Sequence, residues 1–188
     1  AGVLDISRYF FYPLVDDLKL NNPLPTAFME YREAQWKENN ENKTIHQKWV
    51  KMKNISPNVV KAVLIGEDDG FWNHDGFDVA GMEAALERSI NKGTLAGGST
   101  ISQQLAKNLY LSPSKNPVRK IKEAILTWRI EHSLSKRRIL EIAEQLEYRT
   151  SSSRKSVKES KQKHHFLALY KRALLTEFTQ ADLPAKHS

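Results

Sequence analysis

Apolar residues recur every three or four positions through much of this chain, and the helices this spacing predicts carry their own start and stop signals. Ser56-Pro57 reads as an N-cap followed by proline at the first helical position, with Val59, Val60, Val63 and Leu64 at helical spacing and Gly66 ending the run. Residues 78–90 place Val79, Met82, Ala85 and Leu86 on one side. Ile101, Leu105 and Leu109 form a core stripe behind a cap at Ser99 or Thr100, and Gln103 is placed to close a capping box on Thr100. Asn116-Pro117 opens a further helix whose buried stripe is expected to be Ile121, Ile125, Trp128 and His132, the histidine being a satisfied core residue. Ser135 caps another, running through Ile139, Leu140, Ala143 and Leu146. Upstream, residues 28–36 are helix-prone, residues 38–42 read as a loop, and Trp49 and Met52 read as packing residues. With about seven or more helices and no strand pattern, the fold class is mainly α.

Composition adds a class of partner but does not decide the compartment. The chain has 188 residues, enough for one domain with a real core, and its hydrophobic content of 40% is slightly low. The absence of cysteine excludes a disulfide framework and a thiolate metal site. A net charge of +7 and a pI near 9.5 suit an anionic partner: nucleic acid, acidic lipid or a pyrophosphate. No nucleic-acid-binding motif accompanies the charge, so nucleic acid is not the expected partner. No apolar run reaches the ~18 residues a membrane span needs. Tyr9-Phe10-Phe11-Tyr12-Pro13-Leu14 is an aromatic stretch suited to a membrane interface or a packed terminus. Residues 150–165 form a basic, serine-rich tract that reads as a solvated linker, and beyond it Phe166, Leu167, Tyr170, Leu174 and Phe178 fall at amphipathic helical spacing.

Two stretches carry the chemistry. Glu67-Asp68-Asp69 stands at the C-terminal end of a predicted helix, where the macrodipole disfavours negative charge. A sequence selected for stability alone would place Lys or Arg there. A carboxylate held against an apolar helix end makes a better proton acceptor near neutral pH than a solvated one; the plainer reading is an acidic turn. Gly97-Gly98-Ser99-Thr100 opens a helix whose polar side carries Gln103, Gln104 and Lys107, with Asn108 beside them. Free amides at such a start bind phosphate; the plainer reading is an ordinary capped helix.

In order and spacing, four blocks resemble the bacterial peptidoglycan glycosyltransferases. The first is Glu67-Asp68, Phe71, His74 and Gly76; the second is Gly97-Gly98-Ser99-Thr100-Ile101, Gln103-Gln104 and Lys107-Asn108. The third is Arg119-Lys120 with Glu123, and the fourth begins Lys136, Ile139-Leu140-Glu141. No transpeptidase-sized region follows, so the single-function members are the nearest likeness. The resemblance implies a lysozyme-like single catalytic domain over residues 23–142, with a small mobile membrane-facing lobe between the first two blocks. Residues 1–22 form an N-terminal segment, expected to follow a membrane anchor as in most of the family, and residues 143–188 a divergent basic end.

What the resemblance implies for chemistry is polymerisation of lipid II, with inversion and release of undecaprenyl pyrophosphate, at the outer (periplasmic) face of the bacterial inner membrane. Glu67 is then the general base. Lys107, Arg119 and Lys120 meet the pyrophosphate, and Ser99, Thr100, Gln103, Gln104 and Asn108 line the donor cleft. Asp68 and His74 shape the site around Glu67. Glu123 is a second essential carboxylate with two roles open to it: orienting those cations, or helping to hold a divalent ion, magnesium or manganese. No organic cofactor is required. The implied partners are lipid II, the nascent glycan, the membrane surface and other cell-wall synthesis proteins. After Ile142 the family's tyrosine-leucine-asparagine step is replaced by Ala143-Glu144-Gln145. Two rival readings follow: a lipid II-binding scaffold that does not turn over, and a lysozyme-like hydrolase using Glu67 and Glu123 as its carboxylate pair.

Overall fold

The structure is a computed structural model, and it describes residues 2–45, 49–92, 98–113 and 116–152. Among these there are helices and turns but no strand: α1 (Gly2–Ser7), α2 (Ala27–Glu38), α3 (Pro57–Glu67), α4 (Val79–Lys92), α5 (Ile101–Tyr110), α6 (Val118–Ser133) and α7 (Lys136–Ser152). The mainly α expectation holds. Short 3-10 turns at Arg8–Phe10, Val15–Lys19, Met52–Asn54 and Phe71–Asn73 link them. The apolar tail and the glycine turn at residue 93 lie outside the described residues.

Helix α5 is the axis of the domain, packing against α6, α7 and α2. Ile101, Leu105, Ala106 and Leu109 on α5 meet Leu126 and Ile130 on α6 and Ile139, Leu140, Ile142 and Leu146 on α7, all buried in one core. Each large side chain so buried contributes about 1.5–3 kcal/mol relative to exposure. Trp49 and Met52 pack against this core as expected. Helix α7 crosses residue 142 without a break, and Glu144 and Gln145 on it are buried. The Gln145 amide brackets one residue of the loop before α3, accepting from Val50 N at 2.9 Å and donating to Val50 O at 2.6 Å.

The inward face of α6 differs from the expected one. Glu123, Leu126, Thr127 and Ile130 are the buried residues, whereas Ile121 and Trp128 (49% exposed) lie on the opposite side with His132, which is exposed too. The helix is apolar on both sides, and periodicity alone cannot choose between them. The choice falls to the side that also carries satisfiable polar groups: the Thr127 hydroxyl donates to Glu123 O at 2.8 Å. His132 is therefore no core histidine; its ring stacks on Trp128 at 4.5 Å at the surface. Helix α4 forms where expected, with Val79, Met82, Ala85 and Leu86 on one side; Ala85 is buried, while Val79, Met82, Leu86 and, a turn further on, Ile90 are exposed.

The N-terminal segment is held to the core by guanidinium groups rather than by apolar contact alone. Arg129 on α6 donates to Tyr9 O at 3.0 Å and Phe11 O at 3.2 Å. Arg138 on α7 donates to Leu18 O at 2.8 Å and Asn21 O at 3.0 Å. The planar five-donor fork suits such multiple carbonyl capture. Tyr9, Val15 and Leu18 are buried beneath these clamps, but Phe10, Phe11, Tyr12 and Leu14 are exposed, Phe11 to 80%. Among the described residues no helix is long and apolar enough to cross a membrane.

Candidate active site

Helix α3 ends one residue later than its glycine suggests, so Glu67 is its last residue and Asp68 its C-cap, with Asp68 N bonded to Leu64 O at 2.9 Å. Ser56 stands at the N-cap with Pro57 following, though its side chain makes no capping bond. The capping box expected at the start of α5 is present: Gln103 N donates to Thr100 Oγ1 at 3.2 Å and Thr100 N to Gln103 Oε1 at 3.1 Å. These two elements meet through Asp68. Its side chain is only 1% exposed; Oδ2 accepts from Ile101 N at 2.9 Å and Oδ1 pairs with His74 Nε2 at 2.8 Å. A negative charge thus sits on the positive end of α5, where it is favoured. Of the two readings of this helix start, this favours the plainer, a capped helix, over an open phosphate site. The amides of Ile101, Gln103 and Gln104 are engaged by Asp68, by the Thr100 hydroxyl and by Thr100 O respectively.

Glu67 is half-buried beside this junction, its Oε2 accepting from Gln104 Nε2 at 2.9 Å. It lines a cavity of about 20 Å³ together with Gln104 and Asn108 of α5, Val63 of α3 and Ala143 and Leu146 of α7. A space of this size holds about one water or a small substituent. Gln104 also reaches Ser99 O at 3.4 Å. Thr100 and Gln103 are buried, and the Thr100 hydroxyl and the Gln103 side-chain oxygen are bonded to the backbone at the helix start. Lys107 is half-buried one turn further along α5.

Below Asp68 the loop turns on Gly76, whose φ is +93°. The His74 ring braces it: Nδ1 accepts from Gly76 N at 3.1 Å, which places the ring proton on Nε2 facing Asp68. Thr100 Oγ1 donates to Gly76 O at 2.7 Å. A β-carbon at Gly76 would stand 2.9 Å from both Glu131 Cγ and Thr127 Cγ2. Gly76→Ala is therefore expected to cost roughly 2–4 kcal/mol, from the left-handed backbone and the overpacking together. In thermal unfolding this should appear as a midpoint lowered by about 10 °C; an unchanged midpoint would show that the loop relaxes freely.

Glu123 on α6 is not a surface pair with Arg119. Its side chain is 3% exposed, Oε2 accepts from Arg119 at 3.1 Å and Oε1 from Lys120. A buried carboxylate with two cations at its mouth can fix the direction of both. Its two oxygens are already engaged, and the described residues gather no group of three His, Cys, Asp or Glu side chains, so the donor set does not fit a preformed divalent-ion site. Arg119 also lines an open groove of about 580 Å³ with Asp5, Tyr9, Glu30, Tyr31, Tyr110 and Lys122. That groove and the Glu67 cavity share no lining residue. Burial pushes the Tyr110 hydroxyl up to about 12, so it remains a proton donor there. Glu67, Asp68, His74, Gln104 and Asn108 thus form one cluster and Arg119, Lys120 and Glu123 another, joined through the packing of α5 on α6. Sequence reading missed Glu131, which reaches under Gly76; an acidic residue between Ile130 and His132 carries no local signal of its role.

Comparison with known proteins gives the family. A family model described as transglycosylase matches residues 33–152. A biosynthetic peptidoglycan transglycosylase of Laribacter hongkongensis is 46% identical over 125 residues, covering 66% of this chain and 55% of the relative. One of the same name from Aromatoleum aromaticum is 51% identical over 122 residues, covering 64% and 53%. Another, from Nitrosospira multiformis, is 46% identical over 142 residues, covering 75% and 62%. The chain thus spans little more than half the length of these relatives. With the family match running over most of its described helices and through both side-chain clusters, the chain belongs to the transglycosylase family.

Proposed function

We propose that this chain is a peptidoglycan glycosyltransferase that polymerises lipid II into glycan strands. The observation that carries the reading is the position of Glu67: a half-buried carboxylate at a helix end, oriented by Gln104 at 2.9 Å and seated beside the buried Asp68–Ile101 junction. Its relatives' shared name, biosynthetic peptidoglycan transglycosylase, supports the same substrate class. In the reaction, Glu67 takes the proton from the 4-hydroxyl of the acceptor sugar as that oxygen bonds to the anomeric carbon of the donor. The bond from that carbon to the pyrophosphate oxygen breaks on the opposite face, which inverts the centre. Undecaprenyl pyrophosphate leaves with the bonding pair, so no protonated acid is needed. Lys107, Arg119 and Lys120 meet the developing charge, and Glu123 holds the latter two in place. Cations so placed act where charge develops.

The exposed apolar side of α4 and the aromatic stretch at Phe10–Leu14 are suited to the lipid surface from which such a substrate would come, on the outer face of the inner membrane. Nascent glycan and other cell-wall synthesis proteins are the partners this reading implies. The testing experiment supplies purified lipid II in detergent and follows glycan length on a gel. Strands are expected from the parent chain. Lipid II bound without turnover would instead assign a scaffold, and cleavage of finished glycan a hydrolase. Lys107→Ala and Arg119→Ala are each expected to lower turnover by about tenfold or more; near-parental rates in either would remove that residue from the pyrophosphate site.

A further inference from the structure

We infer that Glu131, which none of the four motif blocks contains, is a positioning residue for Glu67; the kinetic part of this inference rests on the function proposed above. Its side chain is 4% exposed at the meeting point of three helices and the loop after α3. Oε1 accepts from Ser102 Oγ on α5 at 2.5 Å and from Lys136 Nζ at the start of α7 at 2.8 Å. The same ammonium lies 4.6 Å from the ring centroid of Phe71, which is fully buried, and Glu131 Cγ fills the space beside Gly76. From this post the contacts run to Glu67 without a gap: Gly76 N to His74, His74 to Asp68, Asp68 to Ile101 N, and Glu67 adjacent to Asp68. Ser102 is the neighbour of Ile101, so Glu131 grips α5 at the turn where Asp68 grips it from the other side.

A buried ion pair is weak evidence for stability, because apolar residues of the same volume hold a core as well. What a single charged acceptor supplies here is one fixed separation between the start of α5, the start of α7 and the loop that carries the base. Glu131→Gln keeps the volume and loses the charge. It is expected to fold, to lower kcat by at least about tenfold and to leave KM within about threefold, since the substrate contacts are untouched. In ¹⁵N spectra the His74 Nε2 proton and the Ile101 amide should exchange with solvent at least about tenfold faster than in the parent. The paired variant Glu131→Gln/Lys136→Gln removes both charges and keeps the proposal testable if the single variant unfolds; it should regain the melting temperature but not kcat. A folded variant with parental kcat and parental exchange at His74 and Ile101 would overturn the inference. Should the parent itself build no glycan, the proposed function falls, and the exchange rates alone decide for or against Glu131.

Discussion

Glu67→Gln is expected to leave a folded protein that no longer builds glycan. The substituted amide has the same shape and can still accept from Gln104 through its oxygen, so the half-buried site loses little packing. What it loses is the ability to take a proton, and a positioned general base contributes roughly 10²–10⁴-fold to rate. The melting temperature should stay within a few degrees of the parent while strand formation from lipid II falls by at least about 10²-fold. A rate within about threefold of the parent would mean that another group accepts the proton. The comparison separates chemistry from binding, because a variant that binds substrate normally yet does not polymerise has lost only the transition-state contribution.

Asp68→Asn should lose both stability and activity. The parent carboxylate accepts two bonds at once, from Ile101 N at 2.9 Å and His74 Nε2 at 2.8 Å, with its side chain almost wholly buried. Asparagine offers one acceptor oxygen; its amide group would face one of the two donors, leaving that donor unsatisfied in the interior. Hydrogen bonds to a charged group are worth about 1.5–3 kcal/mol, and the helix-end charge adds up to about 1 kcal/mol more. A loss of roughly 2–4 kcal/mol lowers the midpoint of thermal unfolding by about 10 °C in a chain of this size. Activity should fall further than stability explains, since the displaced residue is the immediate neighbour of the base. A melting temperature within about 2 °C of the parent would show that Asp68 is no tie between α3 and α5.

How much of this was legible in the sequence follows from how far apart the interacting residues are. The Thr100–Gln103 capping box and the Ile101, Leu105, Leu109 stripe are local, three and four residues apart, and both appear as expected. The Asp68–Ile101 bond joins residues 33 apart, and it favours a capped helix over a phosphate site at the glycine-rich helix start, a choice the local sequence does not make. The inward face of α6 was misassigned because Glu123 and Thr127 belong to it. A polar residue enters a core only when its partners are in place, and those of Glu123 become visible only with its burial. The clamps from Arg129 and Arg138 onto backbone carbonyls more than a hundred residues away leave no pattern in the chain at all. The residue types at the site were legible; their grouping into two clusters was not.

In the proposed reaction the Glu67 cluster on α3 and α5 and the Arg119–Lys120–Glu123 cluster on α6 act on the two sides of one glycosyl bond. A structure of the chain with a non-cleavable lipid-pyrophosphate disaccharide and an acceptor sugar tests this most directly. The acceptor 4-hydroxyl should lie about 2.6–3.2 Å from the Glu67 carboxylate, with the pyrophosphate oxygens in contact with Lys107 and Arg119. A pyrophosphate bound away from both cations, or a Glu67 carboxylate with no sugar hydroxyl within reach of it, would contradict the account.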